Sequence, residues 1–145
     1  MGNCHAIAEL VDTRDDIVVV WPVHKNPRVR DTVHSRLSER ENVALIEPLE
    51  YREFVHLMAR STIILSDSGG IQEEAPSLGS PVLVLREATE RPEGVSAGAT
   101  RLLGTDSRKI VELTSSLLDE DRKYQGMASA ANPYGDGKAS RRIAD

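Results

Sequence analysis

The residues with the clearest chemical potential are Ser66-Asp67-Ser68-Gly69-Gly70-Ile71-Gln72-Glu73-Glu74. Two adjacent glycines leave their backbone N–H groups uncovered by side chains. With the Ser68 hydroxyl, Gly69 and Gly70 can cradle a phosphate where a helix starts. The first N–H groups of a helix are unpaired and carry partial positive charge. The same residues also suit a plain strand-to-helix turn capped by Ser68 or Asp67. Glu73 and Glu74 follow in the first helical turn. Acids there suit the helix dipole, or one of them accepts hydrogen bonds from ribose hydroxyls. Adjacent helical residues point about 100° apart, because a turn holds roughly 3.6 residues, so the two do not face one ligand. Repulsion between a carboxylate and a phosphate favours a sugar hydroxyl as the partner.

Three further positions belong to this group. His24, in Trp21-Pro22-Val23-His24-Lys25-Asn26-Pro27, follows an apolar run and falls where ligands meet sheets. Arg91, in Thr89-Glu90-Arg91-Pro92-Glu93-Gly94, can neutralise a phosphate, with Glu90 or Glu93 orienting it, unless the loop is only solvated. Phe54, the single phenylalanine, either joins the core with Met58 or stacks on a base. His5, His34 and His56 fall in helical stretches and read as surface residues. No histidine pair has metal-ligand spacing, so no metal site is expected. The G-x-S-x-G elbow, the lysine-bearing P-loop and the H-E-x-x-H zinc motif do not occur.

The elements that must hold these residues alternate. Cys4, Ile7, Ala8 and Val11 share one face of a helix over 3–13. Ile17-Val18-Val19-Val20-Trp21 reads as a strand buried on both faces. Asn26-Pro27 caps a helix whose face is Val29, Val33 and Leu37. Val43–Ile46, Thr62–Leu65, Pro81–Leu85 and Arg101–Leu103 read as further strands. Helices are expected over 50–60, from the glycine turn to Leu78, over 106–118 and over 120–130. After an irregular Asn132–Gly137 turn, a final helical stub begins near Lys138. Strands spaced by helices pair in parallel through right-handed crossovers. The class is therefore α/β, an open doubly wound parallel sheet, and residues 1–145 are expected to be one domain. Such a domain normally opens on a central strand, whereas this chain opens on a helix. The sheet is expected to lack its first strand and to expose two inner edges, leading to a rearranged sheet or to self-association.

Composition narrows the function. The chain has 145 residues, 39% hydrophobic and 28% charged, as in a folded globular domain. Its net charge of −5 and aromatic content of 3% argue against a nucleic-acid partner. No apolar run reaches the roughly 18–20 residues of a membrane span, so no membrane partner is expected. The first ten residues lack the charged-then-apolar order of a signal peptide. The single Cys4 excludes an internal disulfide and points to a reducing cytoplasm.

Four blocks, taken together and in order, carry a resemblance. They are Pro22-Val23-His24-Lys25-Asn26-Pro27, Ser66 to Gly79 running on to Pro81–Arg86, Thr89-Glu90-Arg91-Pro92-Glu93, and Asn132-Pro133-Tyr134-Gly135-Asp136-Gly137. They resemble the non-hydrolysing UDP-N-acetylglucosamine 2-epimerases over nearly the whole chain. The resemblance implies a glycosyltransferase-B-like enzyme of two Rossmann-like domains, of which this chain looks like the C-terminal one. It places UDP phosphates at Ser68, Gly69 and Gly70, the ribose at Glu74 and the uracil at Phe54. His24 matches a histidine of a second, activating substrate site, and Arg91 is a further substrate or activator candidate.

The family reaction removes the C2 proton of the sugar and expels UDP. It then adds UDP back with a proton delivered to the opposite face. The resemblance puts the acid/base carboxylates on the other domain, so this chain alone is expected to be inactive. It also implies no metal, no nicotinamide cofactor and a homo-oligomer. Its partners would be UDP and UDP-N-acetylhexosamine. Two rival readings share the phosphate turn: a nucleotide-sugar glycosyltransferase domain and a non-catalytic UDP-sugar-binding module.

Overall fold

The computed structural model describes residues 2–144. Met1 and Asp145, the two ends of the expected domain, lie outside the described residues. The chain opens on α1 (Gly2–Thr13), which buries Cys4, Ala6, Ile7, Leu10 and Val11. β1 (Val19–Pro22) leads to α2 (Pro27–Leu37), whose cap is the expected one: the Asn26 side chain accepts the Arg28 N–H at 3.0 Å. Val33 and Leu37 of α2 are buried, but Val29, in its first turn, is exposed. β2 (Val43–Ile46), α3 (Tyr51–Arg60) and β3 (Ile64–Ser66) follow. α4 (Gly69–Glu74) continues into a 3-10 turn over Ala75–Leu78, which Gly79 ends in the left-handed region at φ 71°. β4 (Val82–Val84) and β5 (Thr100–Leu102) flank α5 (Pro92–Ser96), a short helix in the segment expected to be a loop. α6 (Ser107–Asp119), α7 (Asp121–Ala128) and α8 (Ala139–Ala144) complete the chain.

All strand pairs are parallel, as the alternation requires. They form two groups. β1 pairs with β2, Val19 opposite Val43, and β3–β4–β5 form a second ladder, Ile64 opposite Val82 and Val82 opposite Thr100. Among the described residues no ladder bond joins β1 to β3, so each leaves one edge unpaired. The two groups are bridged by packing. Cys4, Ile7, Leu10 and Val11 of α1 meet Val33, Leu37 and Val43, while Ala6 meets Leu83, Ile110 and Leu117. Leu65 and Val111 touch both clusters.

β4 is the best-buried strand, with Val82, Leu83 and Val84 fully covered by helices on both faces. Burying one such side chain contributes about 1.5–3 kcal/mol. The expectation for the first strand needs correction. Val18 is 72% and Val20 41% exposed, so the run Ile17–Trp21 is not buried on both faces. Val19 and Trp21 pack against the cluster of α1, while Val18 and Val20 lie on the more exposed face.

Candidate functional site

β3 delivers the chain to the glycine turn at its C-terminal end, where parallel sheets bind ligands. The Ser66 hydroxyl accepts the Ser68 N–H at 3.1 Å and shapes the step through Asp67. Ser68 stands at the N-cap of α4, but its hydroxyl makes no capping bond, nor does Asp67 supply one. Instead the Ser68 carbonyl is tied down. It accepts the Gln72 N–H at 3.4 Å and the Gln72 side-chain amide at 3.2 Å.

The glycines face open space. A Cβ built on Gly69 meets nothing within 4 Å. One built on Gly70 lies 4.0 Å from both Ser68 Oγ and Glu74 Oε1. Ser68, Gly70 and Glu74 therefore converge on one unfilled point.

Glu73 and Glu74 diverge as expected from their adjacency, but they close the short α4 rather than lie in its first turn, which holds no acid. Glu73 reaches the rim loop and pairs with Arg91, whose Nε donates to Glu73 Oε1. That bond, with the attraction of the carboxylate, raises the pKa of Arg91 above its ordinary value. Glu74 turns toward α3, where its Oε2 accepts the Tyr51 hydroxyl at 2.8 Å. Losing that donor bond beside a negative charge disfavours the phenolate, so the pKa of Tyr51 is raised. Tyr51, Val55, Glu74, Ser77 and Leu78 line a shallow cavity of about 250 Å³.

The sequence candidates thus fall into two sets. Ser68, Gly69, Gly70, Glu74 and Arg91 gather around α4. Phe54 sits half-buried under that helix, packed with Ile71 against Met58 and Ala75. The aromatic residue beside Glu74 is Tyr51, one turn earlier on α3. His24 is exposed beyond β1, and its Nδ1 accepts the Asn26 N–H at 3.1 Å. No hydrogen bond or ion pair among the described residues links it to the glycine turn. Among those residues no group of three or more His, Cys, Asp or Glu can hold a metal. A larger cavity of about 410 Å³, lined by Arg86, Leu102, Lys109 and Lys123 among others, contains none of the candidates.

Sequence reasoning gave no role to the residues that fasten this site. Gln72 is 1% exposed and joins Ser68 to the rim loop, since its Oε1 accepts the Thr89 hydroxyl at 2.6 Å. Thr89 in turn accepts the Arg91 N–H at 3.0 Å. A polar glutamine in a helix whose neighbours Ile71 and Ala75 face the core was the available signal. Asn132 and Tyr134 also return to the site, from 59 and 40 residues away in sequence.

Comparison with known proteins agrees with this geometry. The family described as UDP-N-acetylglucosamine 2-epimerase matches residues 2–145. The chain is 56% identical over 140 residues to UDP-N-acetylglucosamine 2-epimerase of Escherichia coli (strain K12), an alignment covering 97% of this chain. Identity to the Bacillus subtilis (strain 168) protein of the same name is 54%. The chain spans about 37% of the length of these curated relatives. Among solved structures, the S. aureus MnaA–UDP co-structure superposes with a TM-score of 0.95 at 46% identity, covering 99% of this chain and 39% of that one. The Neisseria meningitidis UDP-GlcNAc 2-epimerase bound to UDP-GlcNAc gives 0.94 at 50% identity, covering 99% and 38%. With its α/β parallel-sheet fold and its glycine turn intact, the chain belongs to the UDP-N-acetylglucosamine 2-epimerase family.

Proposed function

We propose that this chain is the UDP-binding, C-terminal part of a non-hydrolysing UDP-N-acetylglucosamine 2-epimerase. The full enzyme interconverts UDP-N-acetylglucosamine and UDP-N-acetylmannosamine by elimination and re-addition of UDP. The observation that carries this reading is the open point shared by Ser68 Oγ, Gly70 and Glu74 Oε1, with Arg91 held nearby by Glu73. Gly69, Gly70 and Ser68 bind the diphosphate, Glu74 takes the ribose hydroxyls and Phe54 supports the uracil side. Arg91 contributes positive charge to the diphosphate. Donors fixed in advance at the leaving group stabilise the charge that grows on it as the C1–O bond breaks.

Proton removal and delivery at C2 need groups on two faces of the sugar. The resemblance to the epimerases puts that acid/base pair on the other domain, and this chain alone does not epimerise. His24 is assigned to a separate activator site. We place the enzyme in the cytoplasm as a homo-oligomer acting on UDP-N-acetylhexosamines without a resident cofactor. Among the described residues no helix is long and apolar enough to cross a membrane.

Calorimetric titration with UDP is the test. The purified chain is expected to bind UDP at up to millimolar concentration and to give no UDP-N-acetylmannosamine from UDP-N-acetylglucosamine. Absence of heat at millimolar UDP overturns the binding assignment, and product from the isolated chain overturns the division of labour.

A further inference from the structure

We infer that Tyr134, in the turn after α7, is a positioning residue that fixes Arg91 for the anion site. The inference rests on the UDP reading above and assigns Tyr134 no contact with ligand. The Tyr134 hydroxyl accepts the Gly94 N–H at 2.8 Å and donates to the Arg91 carbonyl at 3.1 Å. One phenol oxygen thus uses both its donor and its acceptor capacity on the segment that carries Arg91.

The turn bearing Tyr134 is itself anchored. Asn132 Oδ1 accepts the Tyr134 N–H at 3.0 Å. The Asn132 amide nitrogen donates to Ser77 Oγ, just past α4, and to the Glu73 carbonyl at 3.5 Å. Tyr134 is therefore braced against the same helix that carries the glycine turn. The approach is close: a Cβ on Gly94 would lie 2.7 Å from the phenol oxygen. A glycine there is what lets the phenol reach both backbone groups.

Arg91 is consequently held three times. Thr89 holds its N–H, Tyr134 its carbonyl and Glu73 its Nε. Nη1 donates to the Glu90 carbonyl at 3.2 Å, and Nη2 has no partner among the described residues. A ligand that recruits a free arginine must order a long side chain, which costs entropy. Here the two backbone ties aim the Cα–Cβ bond and the carboxylate aims the guanidinium. The Nη2 donors are left available to a phosphate oxygen. Tyr134 acts through Arg91, so its loss should register only while Arg91 is present.

The test combines nuclear magnetic resonance of Arg91 with a double-mutant cycle on the 145-residue chain. In the ¹⁵N-labelled wild type, the Arg91 Nε–H is expected to give an ordered, slowly exchanging resonance. Tyr134→Phe should speed its exchange about tenfold or more without altering the circular dichroism. UDP binding should weaken about five- to tenfold in Tyr134→Phe, with no further loss when the change is added to Arg91→Gln. Gly94→Ala, which drives a methyl against the same oxygen, should reproduce both effects, and it decides the matter if Tyr134→Phe does not fold. An Arg91 Nε–H unaltered in these variants overturns the inference, as does an equal loss of affinity with and without Arg91. If the wild type binds no UDP, the nucleotide reading fails, and the Arg91 resonance alone then decides the role of Tyr134.

Discussion

Glu73 and Arg91, 18 residues apart in sequence, form an ion pair that ties α4 to the rim loop after β4. Glu73 precedes Glu74 on α4, so one helix orients a cation through the first acid and offers the second to a ligand. Glu73→Gln separates these tasks. Both partners are substantially exposed, so stability should change little. Affinity for UDP should nevertheless fall. A disordered Arg91 forfeits part of a charge-assisted hydrogen bond to the diphosphate. The relief from Glu73's repulsion of the phosphate is screened by water and is the smaller effect. Calorimetry with UDP, alongside thermal denaturation, is expected to show weaker binding at nearly constant stability.

Gly69 separates ligand chemistry from packing. Its missing side chain would meet no protein atom within 4 Å. Gly69→Ala should therefore fold well, with little change in stability, because Gly69 is the first residue of α4 rather than in its interior. A methyl forced against bound phosphate costs about 1–3 kcal/mol, or roughly five- to hundredfold in UDP affinity. Melting curves should barely move while UDP titration shows weaker binding. Unchanged affinity would remove Gly69 from the site.

The Tyr51–Glu74 hydrogen bond has a pH signature. The folded pKa of Tyr51 lies above its ordinary value because the Glu74 carboxylate accepts its proton. Whatever this bond adds to folding is complete below the unfolded tyrosine pKa, about 10, and disappears as pH rises through the raised folded value. Ultraviolet titration should show Tyr51 ionising later than a free phenol, and Glu74→Gln should bring it back toward the ordinary range. Tyr51→Phe should remove that transition and weaken UDP binding by about two- to fivefold, because Glu74 loses its aim. Identical titration curves with and without Glu74 would sink this account.

The unpaired edges of β1 and β3 predict association. Unpaired strand edges recruit other strands, and exposed valines beside an open edge add apolar area. Val20 occupies that position on β1, and Val18 lies just before it. Sedimentation of the wild type should show dimers or larger species. Val20→Lys should shift the population toward monomer while leaving UDP affinity intact. A wild type that sediments only as monomer at high concentration contradicts the prediction.

The elements were largely legible in the residues because their signals are local. Asn26-Pro27 announces the start of α2, and the apolar runs at 43–46 and 81–85 announce strands. The glycine turn was legible for the same reason. The fastening of the site was not. Tyr134 reaches Arg91 across 43 residues, and no periodicity encodes where a tail turn will land. Tyr51 carries no local signal either: it is exposed on the first turn of α3, and only the fold brings its hydroxyl to Glu74, 23 residues on. The open face of β1 was misread because an apolar run records what a strand can bury, whereas its neighbours determine what it does bury.

The split between the strand groups gives α1 the role of a keystone. Its Ala6 closes one cluster and its Cys4, Ile7 and Leu10 close the other. Melting or clipping this first helix would therefore open both cores at once. His24 and Ser68, at the tips of different strand groups, would then lose the bracket that keeps their two leaflets in step.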